Sequence, residues 1–480
     1  MSKTINPKKD PTITPQRTAM RCYSSVLLVL IALLAGCVPN PGFHQVVDTG
    51  DGGFVITRIH TERISFEAYT HQIYLTKLNG DGEPVWDMRT VNKRGDAHTM
   101  LVGGDGGVII AFMDIRGERR GSEDVAPFSP ADLYIQRFDE TGRPLWGPAD
   151  VPLRVDAERR STPHGIVADG AGGAIVVWDD AQAFYAQRID ASGQTLWDTE
   201  GVPLVGAEKS AYEASAIEDG AGGAFIVWRD SHTLYAQHLN AQGRPLWREN
   251  GIRLTSISSS GKAVAGADGY GGLVAVWEKH VPAGVAQKGP YVQRFAADGR
   301  PCWEQNVSLP GDLHWRSAPP GGVTPDGQGN VLISWGIGGV HVQKLDLEGR
   351  KLWSDDAIFS IELIEDLSHS ITDIAAIPDD AGGAFVVWRV GESPMKGGEI
   401  YVQYLDAGGH PQWPGHGALV YPQAAHYYQG YPQLLRGHTG GIVVFSLLGR
   451  TLQRAEIHAQ KIDSAGHLLW SEKGAPMRFE

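Results

Sequence analysis

The sequence predicts an all-β protein assembled from eight similar units, and three observations support this. A Gly is followed four residues later by a Trp eight times, and successive Trp residues stand 50 to 60 positions apart. Each unit holds short β-branched or aromatic runs separated by Gly and Asp turns. After the amino-terminal segment, no long apolar run follows a helical period. The recurring pairs are Gly82/Trp86, Gly142/Trp146, Gly193/Trp197, Gly243/Trp247, Gly299/Trp303, Gly349/Trp353, Gly409/Trp413 and Gly466/Trp470.

The third unit shows the expected strand order. Segments 164–169, 174–178 and 184–190 are rich in β-branched and aromatic residues, which is typical of strands. The turn at 190–193 reads Asp-Ala-Ser-Gly and leads to Trp197. Asp can accept a hydrogen bond from the backbone two residues on, and Gly accepts the positive φ that closes a hairpin. With a fourth strand after the hairpin, each unit is predicted to be a four-stranded antiparallel sheet.

A repeat of about 50 residues is typical of propellers and solenoids. Eight sheets around an axis would bury both faces of each sheet, and closure would remove most exposed edges. The predicted fold is therefore an all-β, eight-bladed β-propeller of four-stranded antiparallel blades. Residues 43–48 are expected to form the first innermost strand and residues 468–477 the last outermost one. A solenoid is the alternative, but neither end resembles a polar capping repeat.

The amino terminus has the features of a lipoprotein signal. An apolar run of ten residues, 26–35, follows five basic residues. Such a run is too short to span a bilayer and suits the core of a signal peptide. It ends in Leu-Ala-Gly-Cys at positions 34–37, which resembles the bacterial lipobox, and this resemblance implies acylation of Cys37.

Three regions are expected from this signal. Residues 1–36 are predicted to be the signal peptide, residues 37–42 the lipidated Cys37 with a short linker, and residues 43–480 the propeller. Val38 follows the Cys where Asp would indicate retention at the inner membrane, so the outer membrane is the expected location. The sequence leaves open whether the propeller faces the periplasm or the cell exterior.

Composition is that of an exported globular module. The net charge is −13, and without residues 1–36 the chain carries 37 basic and 54 acidic residues, a net charge of −17. Such a surface disfavours nucleic acid as a partner. After lipidation of Cys37 one thiol remains, so a disulfide within the mature chain is excluded. That thiol, Cys302, replaces a Leu before a repeat Trp and is expected to be a small buried hydrophobe.

The hairpin of each unit resembles a known family. Residues 185–197, Tyr-Ala-Gln-Arg-Ile-Asp-Ala-Ser-Gly-Gln-Thr-Leu-Trp, are similar to the tryptophan-docking motif of eight-bladed quinoprotein-dehydrogenase-like propellers. The resemblance implies that each Trp packs against a neighbouring blade. A lipoprotein of this fold class is a scaffold of the outer-membrane β-barrel assembly machine. The structural docking residues are thus Trp86, Trp146, Trp197, Trp247, Trp303, Trp353, Trp413 and Trp470.

No catalytic or metal site is expected from the remaining motifs. A Gln recurs in the third strand and is expected to bond the next blade, with a ring of ligand amides as the alternative. The turn Asp residues are assigned to hairpin closure rather than to calcium. The 17 His residues show no zinc-type pairing within a strand, and no nucleophile elbow or phosphate loop occurs. A quinone enzyme of the similar family would need an adjacent Cys pair, which this chain lacks, so no cofactor is predicted.

Long and polar connections indicate a binding face. In a propeller, the connections from strand two to strand three and from strand four to the next blade lie on one face. The long ones, 114–132, 278–290 and 390–399, are expected there, where binding usually occurs. Polar segments that precede the innermost strands fall on the same face, at the mouth of the central channel. The candidate binding rim consists of Arg160, Ser161, Lys209, Arg316, His369, His426, Tyr427 and Tyr428.

The predicted function is that of a membrane-anchored, extracytoplasmic lipoprotein that serves as a protein-binding or scaffolding propeller. Its partner would be another envelope protein or a glycan, received at the rim, where Tyr and Arg are residue types enriched in interface hot spots. For the rim itself, the alternative is a merely solvated channel entrance. For the protein, the alternative is an enzyme or ligand-binding protein that uses the central channel and is glycan-active or quinone-dependent. Convergent carboxylates or Arg residues at the mouth would favour an enzyme.

The lipoprotein hypothesis predicts that membrane association depends on one sulfur atom. Replacement Cys37→Ser should leave an uncleaved precursor or a soluble protein, because position 37 would no longer carry a thiol for the lipid. Cell fractionation and intact-protein mass spectrometry measure both effects. Unchanged mass together with unchanged membrane retention would refute the assignment.

Overall fold

The structure is a computed structural model that describes residues 44–63, 69–92, 97–114, 130–156, 159–180, 183–204, 212–230, 232–256, 263–278, 289–310, 320–336, 339–353, 357–359, 370–391, 398–421, 428–437, 440–448, 455–470 and 475–476. These residues form strands and turns, and no helix occurs among them. Strand pairing groups the 32 strands into eight four-stranded antiparallel sheets, called blades 1 to 8 in chain order.

The strands of blades 1 to 4 have the following bounds. Blade 1 contains β1 (Val46–Asp48), β2 (Phe54–Arg63), β3 (Tyr69–Leu78) and β4 (Pro84–Asn92). Blade 2 contains β5 (His98–Val102), β6 (Val108–Asp114), β7 (Asp132–Phe138) and β8 (Val151–Arg154). Blade 3 contains β9 (Thr162–Ala168), β10 (Ala174–Asp179), β11 (Phe184–Ile189) and β12 (Val202–Pro203). Blade 4 contains β13 (Tyr212–Glu218), β14 (Ala224–Arg229), β15 (Thr233–Leu239) and β16 (Ile252–Ser256).

Blades 5 to 8 repeat the pattern. Blade 5 contains β17 (Ala263–Ala267), β18 (Leu273–Trp277), β19 (Tyr291–Phe295) and β20 (Val307–Ser308). Blade 6 contains β21 (Pro320–Pro325), β22 (Asn330–Gly336), β23 (Val340–Asp346) and β24 (Ala357–Phe359). Blade 7 contains β25 (Ser370–Pro378), β26 (Ala384–Gly391), β27 (Gly398–Leu405) and β28 (Ala418–Leu419). Blade 8 contains β29 (Tyr428–Gly437), β30 (Gly440–Leu448), β31 (Ala455–Asp463) and β32 (Ala475–Pro476).

The blades pack face to face in a propeller. The first strands of successive blades contact one another around the centre, and eight core clusters each join two neighbouring blades. Phe54 and Ile56 of blade 1 pack with Ile457 and Ala459 of blade 8, so the last sheet packs on the first. Burial of these apolar faces is the main stabilising contribution, since it removes both sides of every sheet from water.

Two faces of the propeller are distinguished below. The turn face carries the turns between strands one and two and between strands three and four, represented in blade 4 by residues 219–223 and 240–243. The mouth face is the opposite one, where each first strand begins and each second strand ends, represented in blade 4 by Glu213 and Arg229.

Each docked Trp crosses to the next blade. The indole of Trp197 lies against Gly243 of the following hairpin, and its Nε1 donates to the Ala241 carbonyl at 3.1 Å. The same pair of contacts recurs at seven junctions, with Nε1 to oxygen distances of 2.9 to 3.1 Å, from Trp86, Trp146, Trp197, Trp247, Trp303, Trp353 and Trp413. The repeated Gly and Trp are therefore two halves of one contact, made between consecutive blades.

A basic residue on the third strand reinforces most junctions. Arg188 pairs with the turn carboxylate of Asp169 at 3.0 Å and donates to the Ala241 carbonyl at 2.8 Å, which also accepts from Trp197. Similar ion pairs at 2.7 to 2.9 Å join Lys77 to Asp51, Arg137 to Asp105, Arg294 to Asp268 and Lys344 to Asp326. In blade 4, His238 lies 2.9 Å from Asp219, and in blade 7 Tyr404 donates to Asp379 at 2.6 Å. The cation follows directly after the third-strand Gln in most units, a signal that the sequence analysis missed.

The Asp326 carboxylate is held ionised by its partners. Burial raises the pKa of Asp326, but hydrogen bonds from Lys344 and Asn330 outweigh it and lower the pKa to about 2. The ionised carboxylate also accepts hydrogen bonds from backbone N–H groups of its own turn, such as Gln328 at 2.8 Å. One carboxylate thus closes a hairpin and positions the cation that reaches the next blade.

The expectation that the third-strand Gln bonds the next blade is wrong. Gln187 bonds within its own blade: its Oε1 accepts from the Trp197 N–H at 2.9 Å, and its Nε2 donates to the Asp198 carbonyl at 2.6 Å. The same bond to the Trp backbone occurs for Gln136, Gln237, Gln293, Gln343, Gln403 and Gln460. At the Trp, the segment after the hairpin stops pairing with the third strand and turns toward the next blade. The Trp backbone N–H therefore has no partner in the sheet and needs another acceptor.

The expectation of eight equivalent blades needs correction. Seven junctions carry the docked indole, whereas at the junction of blade 8 with blade 1 the described donor to the corresponding carbonyl, Gly80, is Lys461 at 2.8 Å. Trp470 is only partly buried there and packs with the cluster around Phe54. The predicted outermost strand 468–477 is also wrong, since β32 comprises Ala475–Pro476. Docking diverts the chain from the third strand before the fourth begins, which shortens the outer strands.

The burial expected for Cys302 is wrong as well. The Cys302 side chain is exposed. Its N–H donates to the Arg294 carbonyl at 2.8 Å, which places the residue on the outer edge of blade 5 next to docked Trp303. Equivalent residues such as Leu196 and Leu246 are about half exposed, at 48% and 52%. Because the Trp turns inward, the residue before it turns outward.

The docking contact predicts different costs for two Gly substitutions in blade 4. Gly243 and Gly220 both have positive φ, 74° and 72°, but a Cβ at Gly243 would lie 2.7 Å from the Trp197 ring, whereas one at Gly220 would meet nothing within 4 Å. Gly220→Ala should cost about 1–2 kcal/mol of unfolding free energy from backbone strain alone. Gly243→Ala should cost about 1–3 kcal/mol more because it overpacks the junction. Denaturant unfolding measures both, and equal losses would contradict the docking role of Gly243.

Candidate functional site

The candidate site is the mouth face, where charged pairs and a cavity lie next to the channel. In blade 4, Glu213 stands at a β-bulge in the innermost strand and has a φ of 50°. Its carboxylate receives Arg229 in two contacts, Nε to Oε2 at 2.6 Å and Nη2 to Oε1 at 3.0 Å. The side chains are 13% and 18% exposed. A left-handed backbone at a non-Gly residue is costly, so the two-point ion pair and the surrounding sheet hold the bulge in place.

Blade 7 repeats this arrangement. Asp373 has a φ of 54° at a bulge of β25, and Arg389 donates to it from the end of β26 at 2.7 Å. Blade 3 places a different pair in the same region, with His164 Nε2 and Asp179 Oδ2 at 2.5 Å. Each of these carboxylates is therefore paired with a basic side chain of its own blade. In both acid–Arg pairs the Arg follows the acid by 16 residues, directly after a second-strand Trp, and sequence reasoning overlooked that signal.

A cavity of about 320 Å³ lies beside the blade 4 pair. Glu213, Ser215 and Arg229 line its polar part, while Ile217, Val264 and Val323 line its apolar part. These residues come from blades 4, 5 and 6, and the cavity lies along their innermost strands. It is therefore a cleft with a charged pair at the mouth side and aliphatic walls.

The cleft exists because two innermost strands stand apart. β13 of blade 4 and β17 of blade 5 approach each other much less than the first strands of the flanking junctions do. At the preceding junction Gly165 allows close approach, since a Cβ there would lie 2.8 Å from the Ala216 backbone nitrogen. Blade 4 carries Ser215 at the position equivalent to Gly165, four residues before the turn Asp. Ser215 lines the cleft at this position.

A buried polar cluster joins blades 1 and 2 near the start of their first strands. Thr57 Oγ1 lies 2.6 Å from His98 Nε2, and Gln45 Nε2 donates to the His98 carbonyl at 3.1 Å. Gln45 N donates to Thr57 Oγ1 at 2.7 Å. Burial, together with nearby His44, lowers the pKa of His98 from 6.5 to about 4. His98 is therefore neutral in the folded protein at neutral pH.

The structure describes part of the candidate rim. Arg160 is half-buried and Ser161 is fully buried, and their segment pairs with Ala131 of blade 2 through a parallel bridge. Tyr428 is the first residue of β29. The other rim residues, Lys209, Arg316, His369, His426 and Tyr427, lie outside the described residues, as does the lipidation candidate Cys37. Arg160 and Ser161 therefore lie at the start of blade 3, and Tyr428 lies at the start of blade 8.

Two negative findings apply to the described part of the chain. No group of three or more His, Cys, Asp or Glu side chains there could hold a metal ion. Nor does that part contain a helix with the length and apolar character needed to cross a membrane.

Comparison with known proteins gives similarity in fold only. No protein-family model matches the sequence, and no curated protein matches it. Similar solved structures include puromycin hydrolase, at 15% identity and a TM-score of 0.43 over 87% of this chain and 60% of that one. Prolyl oligopeptidase B from Galerina marginata is 11% identical, with a TM-score of 0.40 over 95% of this chain and 53% of that one. A protein of unknown function from Bacteroides caccae is 12% identical, with a TM-score of 0.31 over 70% of this chain and 88% of that one.

The buried cluster predicts acid sensitivity between pH 6.5 and 4. The folded pKa of His98, about 4, lies below the unfolded value of 6.5, so the unfolded chain binds a proton first as the pH falls. Stability should therefore fall between these values, by up to about 3 kcal/mol from this residue. Denaturant unfolding from pH 7 to pH 4.5 measures the loss. His98→Gln should flatten the curve in this window, and an unchanged slope in the variant would contradict the assignment.

Proposed function

We propose that this protein is a lipid-anchored, extracytoplasmic propeller that binds another component of the cell envelope through its mouth face. The observation that carries the proposal is the difference between the two faces. On the turn face, the carboxylates, cations and indoles are engaged in the junctions between blades. On the mouth face lie the cleft, the charged pairs and the connections of unequal length. A rigid scaffold with one specialised face suits binding.

The anchor would turn this face toward the membrane. β1 begins on the mouth side, and only seven positions separate Cys37 from His44, the first described residue. Even fully extended, such a tether reaches about 25 Å. A lipid at Cys37 would therefore hold the mouth close to the membrane surface. The partner would be a protein or glycan located at that surface.

The charged pairs fit a binding face. Glu213, Asp373 and Asp179 each contact a basic side chain of the same blade at 2.5 to 2.7 Å. These contacts hold charged groups at defined positions on a rigid surface, which favours electrostatic recognition of a partner. The candidate rim carries the basic residues Arg160 and Arg316, so an acidic or carbohydrate-like group of the partner is the better match.

Site-specific photo-crosslinking in intact membranes tests the proposal. A photoreactive residue at Val155, which is 61% exposed on the mouth side after β8, should capture a membrane-associated partner. The matched control is Ser192, an exposed turn-face residue of blade 3. Capture from Val155 but not from Ser192 is expected, with the adduct identified by mass spectrometry.

Two variants sharpen this experiment. Cys37→Ser should remove the Val155 adduct, because the propeller would no longer be held at the membrane. Charge reversal of Arg160 and Arg316 together should also remove it while leaving the melting temperature nearly unchanged. Equal capture from both positions, or capture from Ser192 alone, would overturn a mouth-face site.

A further inference from the structure

We propose that the cleft between blades 4 and 5 binds a small aliphatic zwitterion of the α-amino acid type. Nothing in the scaffolding role requires such a site. The proposal rests on three features found together: a cavity of about 320 Å³, a Glu–Arg pair lining its polar part, and aliphatic walls. Ligand sites commonly begin at about 300 Å³ and combine apolar walls with a few placed polar groups. This cleft therefore suits a small ligand.

The Glu213–Arg229 pair determines which charges the ligand must carry. Glu213 and Arg229 both line the cavity, and they contact each other at 2.6 Å. A ligand carrying only a carboxylate would leave a second negative charge next to Glu213, and one carrying only an amine would leave a positive charge next to Arg229. Uncompensated charge in a partly buried site is costly. A ligand with an ammonium and a carboxylate side by side adds no net charge and can pair with both residues.

The aliphatic walls of the cleft determine which side chain the ligand should carry. Ile217, Val264 and Val323 offer branched aliphatic surface, and Ala216 and Ala265 leave room between them. A branched aliphatic chain gains from leaving water here, while a charged or strongly polar chain would lose hydration without gaining partners. Leucine and valine are therefore the best matched probes.

Glu213 lies at a strained bulge of the first strand of blade 4. Glu213 adopts a left-handed φ of 50°, and the register of β13 against β14 shifts between Tyr212 and Ala214 at this point. Side chains of a regular strand alternate between the two faces of the sheet. A bulge interrupts this alternation and so changes the direction of the Glu213 side chain. The same strain occurs at Asp373 in blade 7, so what distinguishes Glu213 is its place beside the cleft.

Blade 7 supplies a matched control. The Asp373–Arg389 pair has the same bulge, the same sign of φ and a 2.7 Å contact, but neither residue lines the cleft. A variant that breaks this pair reproduces the loss of a mouth-face ion pair without touching the proposed site. Arg389→Gln is therefore the control for Arg229→Gln.

Equilibrium binding of leucine to the full lipid-anchored chain in detergent micelles tests the proposal. Leucine should bind with one site per chain, and 3-methylbutanoate and 3-methylbutylamine, which keep one charge each, should bind at least about tenfold more weakly. Arg229→Gln should weaken leucine binding by about tenfold or more, and Arg389→Gln should leave it within about twofold. Ser215→Leu, which fills the cleft while keeping the ion pair, should also abolish binding.

Several results would overturn the proposal. These are no saturable leucine binding up to about 10 mM, equal binding of the one-charge analogues, or equal effects of Arg229→Gln and Arg389→Gln. If Arg229→Gln lowers the melting temperature sharply, the Ser215→Leu variant decides the outcome, because its ion pair is retained. Leucine binding unaffected by Ser215→Leu would place the ligand elsewhere.

Discussion

The contact between an indole and the glycine of the next blade determines much of this structure. Each docked Trp fills the space that a Cβ would occupy at the facing Gly, and its N–H bonds a carbonyl beside that Gly, as between Trp353 and Gly409. Because Gly and Trp of one unit contact different neighbours, blades 2 to 7 each receive one indole and offer another. Loss of either residue would weaken a junction rather than a single blade. Selection of both in every unit explains the sequence repeat in physical terms.

The junctions have consequences for the rest of the blade. The segment that carries the Trp to the next blade separates from the third strand. The Gln side-chain oxygen then accepts the hydrogen bond of the Trp backbone N–H, which has lost its partner in the sheet. The fourth strand begins late and stays short, as in β12 and β28. In blade 3, Arg188 is held by the turn carboxylate of Asp169 and adds a charge-assisted bond to the Ala241 carbonyl, which is stronger than a bond between neutral groups. The turn face is thereby dedicated to assembly.

Because the junctions on the turn face close the propeller rigidly, the mouth face can hold bulges and a gap between strands. Glu213 and Asp373 keep left-handed backbones, and a gap between β13 and β17 persists. Such features cost free energy and survive only where surrounding contacts determine the geometry. The eighth junction is the exception within the frame, since Lys461 and not an indole is the described donor to Gly80. Blades that look equivalent by sequence are therefore not equivalent in packing.

The sequence by itself determined the all-β class, the four-stranded antiparallel unit and the recurrence of Gly and Trp in every unit. These follow from local patterns: alternation, turn chemistry and the spacing of Gly193 and Trp197 are properties of short segments. It did not determine the direction of side chains at the hairpin end, so Cys302 was expected to be buried and is exposed. Nor could it pair Glu213 with Arg229 or open the cleft beside Ser215. Those features depend on bulges and on the distance between neighbouring blades, which only the packed ring decides.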